Sequence, residues 1–192
     1  MAIINVLQQK MKRRNLLATL LIAILVTVSF LSLMGLFKQQ EKDAEIINIA
    51  GKQRMLSQKI ALLAHQQYEN LIDEHVDKNI QKHLIQTANT FNSNQHFLSE
   101  LVVNESNTFP KEVSILYFNA PHYLNNKVNI YAKSAVELIQ IQDVDRANRL
   151  MEKQFDREGV EKLLASLDSA VTKIEQHVKQ RITSIYLLVV SL

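Results

Sequence analysis

Residues 47–61 read INIAGKQRMLSQKIA, and the spacing of their apolar side chains predicts one face of a helix. The stripe on that face begins just before this stretch and ends just after it: Ile46, Ile49, Gln53, Leu56, Ile60 and Leu63. Gly51 lies in the middle of this helix, where a glycine costs ~1 kcal/mol relative to alanine. Helix formation therefore does not explain Gly51, nor the cationic Arg54 three residues later.

The glycine and the arginine share a second helix face of mostly small residues: Ile47, Ala50, Gly51, Arg54, Ser57, Gln58 and Ala61. In one interpretation Gly51 only packs, and the Arg54 side chain reaches solvent or pairs with an acidic residue. In the other, Gly51 leaves backbone open to a ligand, and two copies of the chain face each other across a two-fold axis. Two Arg54 guanidinium groups would then clamp one small oxyanion. Periodicity leaves both interpretations open.

The composition favours long helices. The 192 residues include three glycines, two prolines and no cysteine, so sheet folds with many turns are disfavoured and disulfide or thiol chemistry is excluded. The net charge of +3, the scattered lysines and the lack of tryptophan give no sign of a nucleic-acid-binding surface.

An uncharged run, LLATLLIAILVTVSFLSLMGLF, occupies residues 16–37. A membrane-spanning helix needs ~20 apolar residues, and a cleaved signal peptide is disfavoured because the run is too long and no A-x-A-like site follows it. The flank before the run has no acidic residue and four basic ones, Lys10, Lys12, Arg13 and Arg14. By the positive-inside rule we expect a cytoplasmic segment at 1–15, a transmembrane helix at 16–37 and a periplasmic sensory domain at 38–183.

The last residues, SIYLLVVSL at 184–192, carry no charge and follow Lys179 and Arg181. They are too short to cross a membrane. We expect them to start a second transmembrane helix that is truncated at residue 192, with an output module beyond it. The alternative is the buried end of a helix.

Four stretches of helical spacing predict an all-α fold, an antiparallel four-helix bundle continuous with the membrane helices. The first runs from the membrane helix to Leu63. The second, at 76–102, carries Val76, Ile80, Leu84, Ala88, Phe91, Leu98 and Val102, and the third carries Leu124, Val128, Tyr131, Ala135 and Leu138. The fourth covers 156–178; a short apolar piece, VSILYF, precedes the third stretch, and a short helical piece that ends at Phe155 follows it. Asp156 is a suitable cap for the fourth helix. The stripe of that helix alternates steps of four and three, which is typical of a left-handed bundle seam: Leu164, Leu167, Val171, Ile174 and Val178.

No constellation in the sequence predicts catalysis. His65, Glu69 and Asp73 lie four residues apart and could hold a cation, but such a row is more often a solvated, ion-paired face. There is no recurring Glu-x-x-His pair, no P-loop and no nucleophile motif. We therefore predict no catalytic residue, no metal ligand and no cofactor.

The stretch at 47–61 resembles the signature of the PilJ-type sensory domain, the N-terminal domain of type IV pili methyl-accepting chemotaxis transducers. It is also similar to the signature helix of the nitrate/nitrite sensor histidine kinases. The shared pattern, I-N-x-A-G-x-x-R-M-x-S, is carried by Ile47, Asn48, Ala50, Gly51, Arg54, Met55 and Ser57. The version QRMLSQ at 53–58 is closer to the pilus-transducer branch, and Lys59 stands where the kinases have an arginine. Residues 163–176 are similar to the closing helix of such domains.

The resemblance implies a sensor that forms a homodimer through its first helix and binds a small anion, nitrate or nitrite, at the dimer interface. Carried over residue by residue, the ligand-binding positions are Arg54 and Gly51, with Ile47 and Asn48 one turn before them. We expect the ligand-sensing portion of a bacterial inner-membrane receptor, in contact with the lipid bilayer and not with nucleic acid. The alternative is a membrane-anchored helical interaction module that binds a protein partner, such as a pilus or periplasmic component, without a small ligand.

Overall fold

The computed structural model describes residues 2–104 and 109–190, with side chains at 9–104 and 109–184. The elements in these ranges are helices: α1 (Ala2–Ile72), α2 (Lys78–Asn104), α3 (Lys111–Phe118), α4 (Leu124–Gln140), α5 (Val144–Gln154) and α6 (Arg157–Val190). No strand occurs in the described residues. The predicted all-α fold class is confirmed.

The chain divides into two compact units after Ala44. The first unit, Met1–Ala44, holds the uncharged run within α1, which is long and apolar enough to cross a membrane. None of its apolar window is buried inside the chain, and large side chains such as Leu25 and Phe30 are exposed. Because exposed apolar area costs about 25 cal/mol per Å² in water, this segment fits a membrane location.

The second unit, Glu45–Leu192, is a bundle of four long helical segments: the rest of α1, α2, α4 and α6. Arg54 of α1 contacts Asp168 of α6, and His65, three turns further along α1, contacts the carbonyl oxygen of Phe155 just before α6. Residue numbers rise along one helix as they fall along the other, so α1 and α6 are antiparallel, as expected for neighbours in such a bundle.

The bundle core follows the predicted stripes closely. All five predicted side chains of α4 are buried: Leu124, Val128, Tyr131, Ala135 and Leu138. On α6, Leu167, Val171 and Ile174 are buried, but Leu164 is only half-buried because Leu163 takes the core position. Val76, predicted on the α2 stripe, is exposed since it lies in the turn before that helix.

Side-chain caps start three of the helices. Asp143 accepts a hydrogen bond from the backbone N–H of Arg146 (2.7 Å) at the start of α5, and Asp77 accepts one from Asn79 (2.8 Å) at the start of α2. The predicted cap of α6 is confirmed, because Asp156 accepts a hydrogen bond from the N–H of Gly159 at 2.9 Å.

Helix α6 is described to Val190. From residue 185 onward, the side chains of the predicted second membrane segment lie outside the described residues.

Candidate ligand site on helix α1

The core side of α1 is wider than the predicted stripe. Ile46, Gln53, Leu56, Ile60 and Leu63 are buried as predicted, whereas Ile49 is only half-buried. Ala50 and Ser57, which the sequence suggested for the small-residue face, are buried as well. A helix packed against several neighbours buries a stripe of 100° or more, and this width draws both small residues into the core.

Part of the remaining surface of α1 is here called the Arg54 face: the exposed Asn48, Arg54, Met55, Gln58 and Leu62 together with the half-buried Gly51. Met55 and Leu62 are 58% and 59% exposed, which is high for large apolar side chains. They lie seven residues apart, the spacing that faces a partner helix in a coiled coil. Ile47 lies half-buried beside this face.

Gly51 has no packing role inside the chain. A Cβ atom added at this position would meet no side chain and no other helix within 4 Å, and no glycine in the described residues has a positive φ angle. Neither close approach within the chain nor backbone conformation therefore requires glycine. The interpretation in which Gly51 packs against the rest of its own chain is not supported.

Arg54 has an acidic partner in its own chain. Its Nε group contacts Oδ1 of Asp168 on α6, and the two side chains are 51% and 40% exposed. This pairing is one of the alternatives that the sequence left open. An ion pair this exposed contributes only about 0–1 kcal/mol to folding. The contact is made through Nε, which is one of the three nitrogen atoms of the guanidinium.

A layer of buried polar side chains lies next to the Arg54 face. The Gln53 amide donates to the carbonyl oxygen of Phe91 (3.1 Å) and to Oε1 of Gln95 (3.3 Å), and Gln95 donates to Asn125 (3.3 Å). Tyr131 donates to the carbonyl oxygen of Ser57 at 3.1 Å. Burial raises the pKa of Tyr131, so its phenol remains a donor. These bonds tie the signature segment of α1 to α2 and α4, and sequence periodicity gave no sign of them.

The row of His65, Glu69 and Asp73 is not drawn together into a metal site. Nε2 of His65 lies 3.1 Å from the carbonyl oxygen of Phe155. Across the part of the chain that the structure describes, no three His, Asp or Glu side chains are placed to hold a metal ion.

The segment of α1 that carries this arrangement lies within a match to a known protein family. Residues 36–112 match the PilJ family. The model of this family describes the N-terminal region of type IV pili methyl-accepting chemotaxis transducers. The PilJ match contains the whole signature at 47–61 together with α2, and it confirms the resemblance seen in the sequence.

The match indicates the sensory domain of a chemotaxis transducer, which is a signalling domain and not a catalytic one. The similarity of residues 163–176 to a closing helix falls outside the matched range and stays a prediction, as does the relation to the nitrate sensor kinases. No curated protein and no solved structure matches the chain.

Proposed function

We propose that this chain is the ligand-sensing portion of a bacterial inner-membrane receptor, with its helical bundle in the periplasm. In this proposal two copies pair through α1 and bind a small anion, nitrate or nitrite, between their Arg54 side chains. The observation that carries the proposal is the open surface at Gly51, one turn before Arg54. A helical glycine costs ~1 kcal/mol, and one with open space where its side chain would be is suited to close approach by something outside the chain.

The rest of the Arg54 face supports a second copy as the partner. Met55 and Leu62 expose apolar area at the spacing of a helix–helix seam, and a two-fold axis would place each against its own copy. Arg54 would then lie beside its symmetry mate, with the backbone of Gly51 and the residues Ile47 and Asn48 one turn away. A guanidinium offers a planar fork of donors that fits a planar oxyanion.

The ion pair with Asp168 changes the electrostatics of such a dimer. Two bare guanidinium groups would repel each other in the empty site, whereas each Arg54 here has a carboxylate beside it. The ligand would thus join a site in which the positive charges are already partly neutralised, and binding relies on the directed N–H donors as well as on net charge.

Calorimetric titration of the purified full chain in detergent with nitrate and nitrite tests the proposal. Arg54→Ala should weaken anion binding at least about a hundredfold, because two charge-assisted hydrogen bonds of ~1.5–3 kcal/mol each are lost. Arg54→Lys should rescue only part of the affinity, since an ammonium cannot form the forked contact.

The matched control is Arg146→Ala, which removes an exposed arginine that is paired with Glu137 at 2.8 Å. Its anion affinity should equal that of the wild type. Unchanged affinity in Arg54→Ala would refute the Arg54 site. If neither anion binds the wild-type chain, the protein-partner alternative becomes the better explanation of the exposed Met55 and Leu62.

A further inference from the structure

The contact between Arg54 and Asp168 joins the candidate ligand site to a different helix. Asp168 lies on α6, and its carboxylate contacts the Nε group of Arg54. The chain therefore supplies its own anion to the guanidinium that the proposed ligand needs.

A carboxylate and an oxyanion recognise a guanidinium in the same way, through adjacent N–H donors in one plane. The carboxylate of Asp168 contacts the guanidinium at Nε. An anion that enters must either displace the carboxylate or bind beside it on the Nη edge. In both positions the negative charge of Asp168 opposes the ligand, because the two anions lie within a few ångströms of each other.

On the basis of the proposed function, we propose that Asp168 is a counter-anion of Arg54 within the chain and that it lowers the affinity of the site for its ligand. It sets the ligand concentration at which the receptor responds. Since Asp168 lies on α6, ligand binding and the α1–α6 ion pair are thermodynamically linked: whatever weakens the pair strengthens ligand binding, and the ligand weakens the pair.

Asp168→Asn tests the inference, because the amide can still accept a hydrogen bond from Nε but carries no charge. In a titration of the full chain in detergent with sodium nitrate, we expect Asp168→Asn to bind about tenfold more tightly than the wild type, which is the effect of removing one opposing charge a few ångströms away where solvent screens it strongly. The gain should disappear in Arg54→Ala/Asp168→Asn.

The matched control is Glu137→Gln, which neutralises another half-exposed carboxylate that is paired with an arginine. Its nitrate affinity should not change. If Asp168→Asn binds nitrate no more tightly than the wild type, or more weakly, Asp168 is not a counter-anion and the inference is wrong while the anion site stands. If neither the wild type nor any variant binds nitrate or nitrite, the proposed function is wrong, and so is this inference.

Discussion

At the scale of single residues, Gly51 and Arg54 lie one turn apart but interact with their own chain in different ways. Arg54 has a partner in Asp168, whereas Gly51 has open space where its side chain would be. Glycine lowers helix stability, and at position 51 no close packing of another part of the chain against the Cβ position offsets this cost. Substitution at Gly51 therefore separates folding from function better than substitution at Arg54.

Gly51→Ala should stabilise the ligand-free chain by up to ~1 kcal/mol, which raises the melting temperature by about 2–4 °C for a chain of this size. If the proposed dimer forms, the larger Gly51→Leu should weaken anion binding and dimerisation, because the side chain would fill the space that the proposed partner occupies. Thermal melting and analytical ultracentrifugation measure the two effects.

Gly159→Ala is the control for this experiment. An added Cβ there would lie 2.5 Å from Oδ1 of Asp156, the cap of α6. The gain in helix propensity should be offset by a weakened cap worth about 1 kcal/mol. If both substitutions stabilised the chain equally, the open space at Gly51 would not explain the effect of Gly51→Ala.

At the scale of elements, α1 and α6 frame the candidate site and carry the core stripes that hold the bundle together. Ile174 is the last fully buried residue of the predicted stripe of α6, since Val178 is only half-buried, and it lies beyond Asp168 toward the C-terminal end of the helix. On the same helix Thr172 is exposed. Substitutions at Ile174 and Thr172 therefore test whether the side of α6 that carries Ile174 packs into the core of the bundle.

Ile174→Asp should destabilise the bundle by at least about 3 kcal/mol, because it removes a buried apolar side chain and places a carboxylate without a partner in the core. Thr172→Asp puts the same charge on the solvent side, where a change within about 0.5 kcal/mol is expected. Thermal unfolding of both variants, followed by circular dichroism, measures the difference. Similar losses in the two variants would contradict the packing of α6.

At the scale of the whole molecule, the chain combines an apolar segment that fits a membrane with a helical bundle that carries the candidate site. Four basic residues precede the apolar run, and no acidic residue accompanies them. The positive-inside rule depends on such short flanks. It therefore makes a prediction about which side of the membrane the bundle occupies.

A reporter enzyme that is active only in the periplasm should be active when it is fused after Asn104 and silent when it is fused at Ala2. The reason is that lysine and arginine flanks are retained on the cytoplasmic side. Enzyme activity in intact bacterial cells, normalised to the amount of each fusion protein, is the measurement. The reverse pattern would show that the bundle lies in the cytoplasm and would exclude a periplasmic ligand.

Local sequence patterns were enough to predict the four long helical stretches and the apolar segment. Leu124, Val128 and Leu138 were predicted in the core and are buried there, because a repeat of 3.6 residues is a local property of the chain. The cap at Asp156 was also predictable, since it depends on residues three positions apart. The motif at 47–61 pointed to the family for the same reason: its information lies in one short stretch.

The contacts that these residues make could not be predicted from local patterns. That Arg54 meets Asp168, and that Gln53 bonds to Phe91 and Gln95, depends on how distant helices are placed side by side. Periodicity shows which face of a helix is apolar, but it does not show which residue of another helix lies opposite. The burial of Ala50 and Ser57 was missed for the same reason, because small residues carry a weak hydrophobic signal and their burial depends on how many neighbours surround α1.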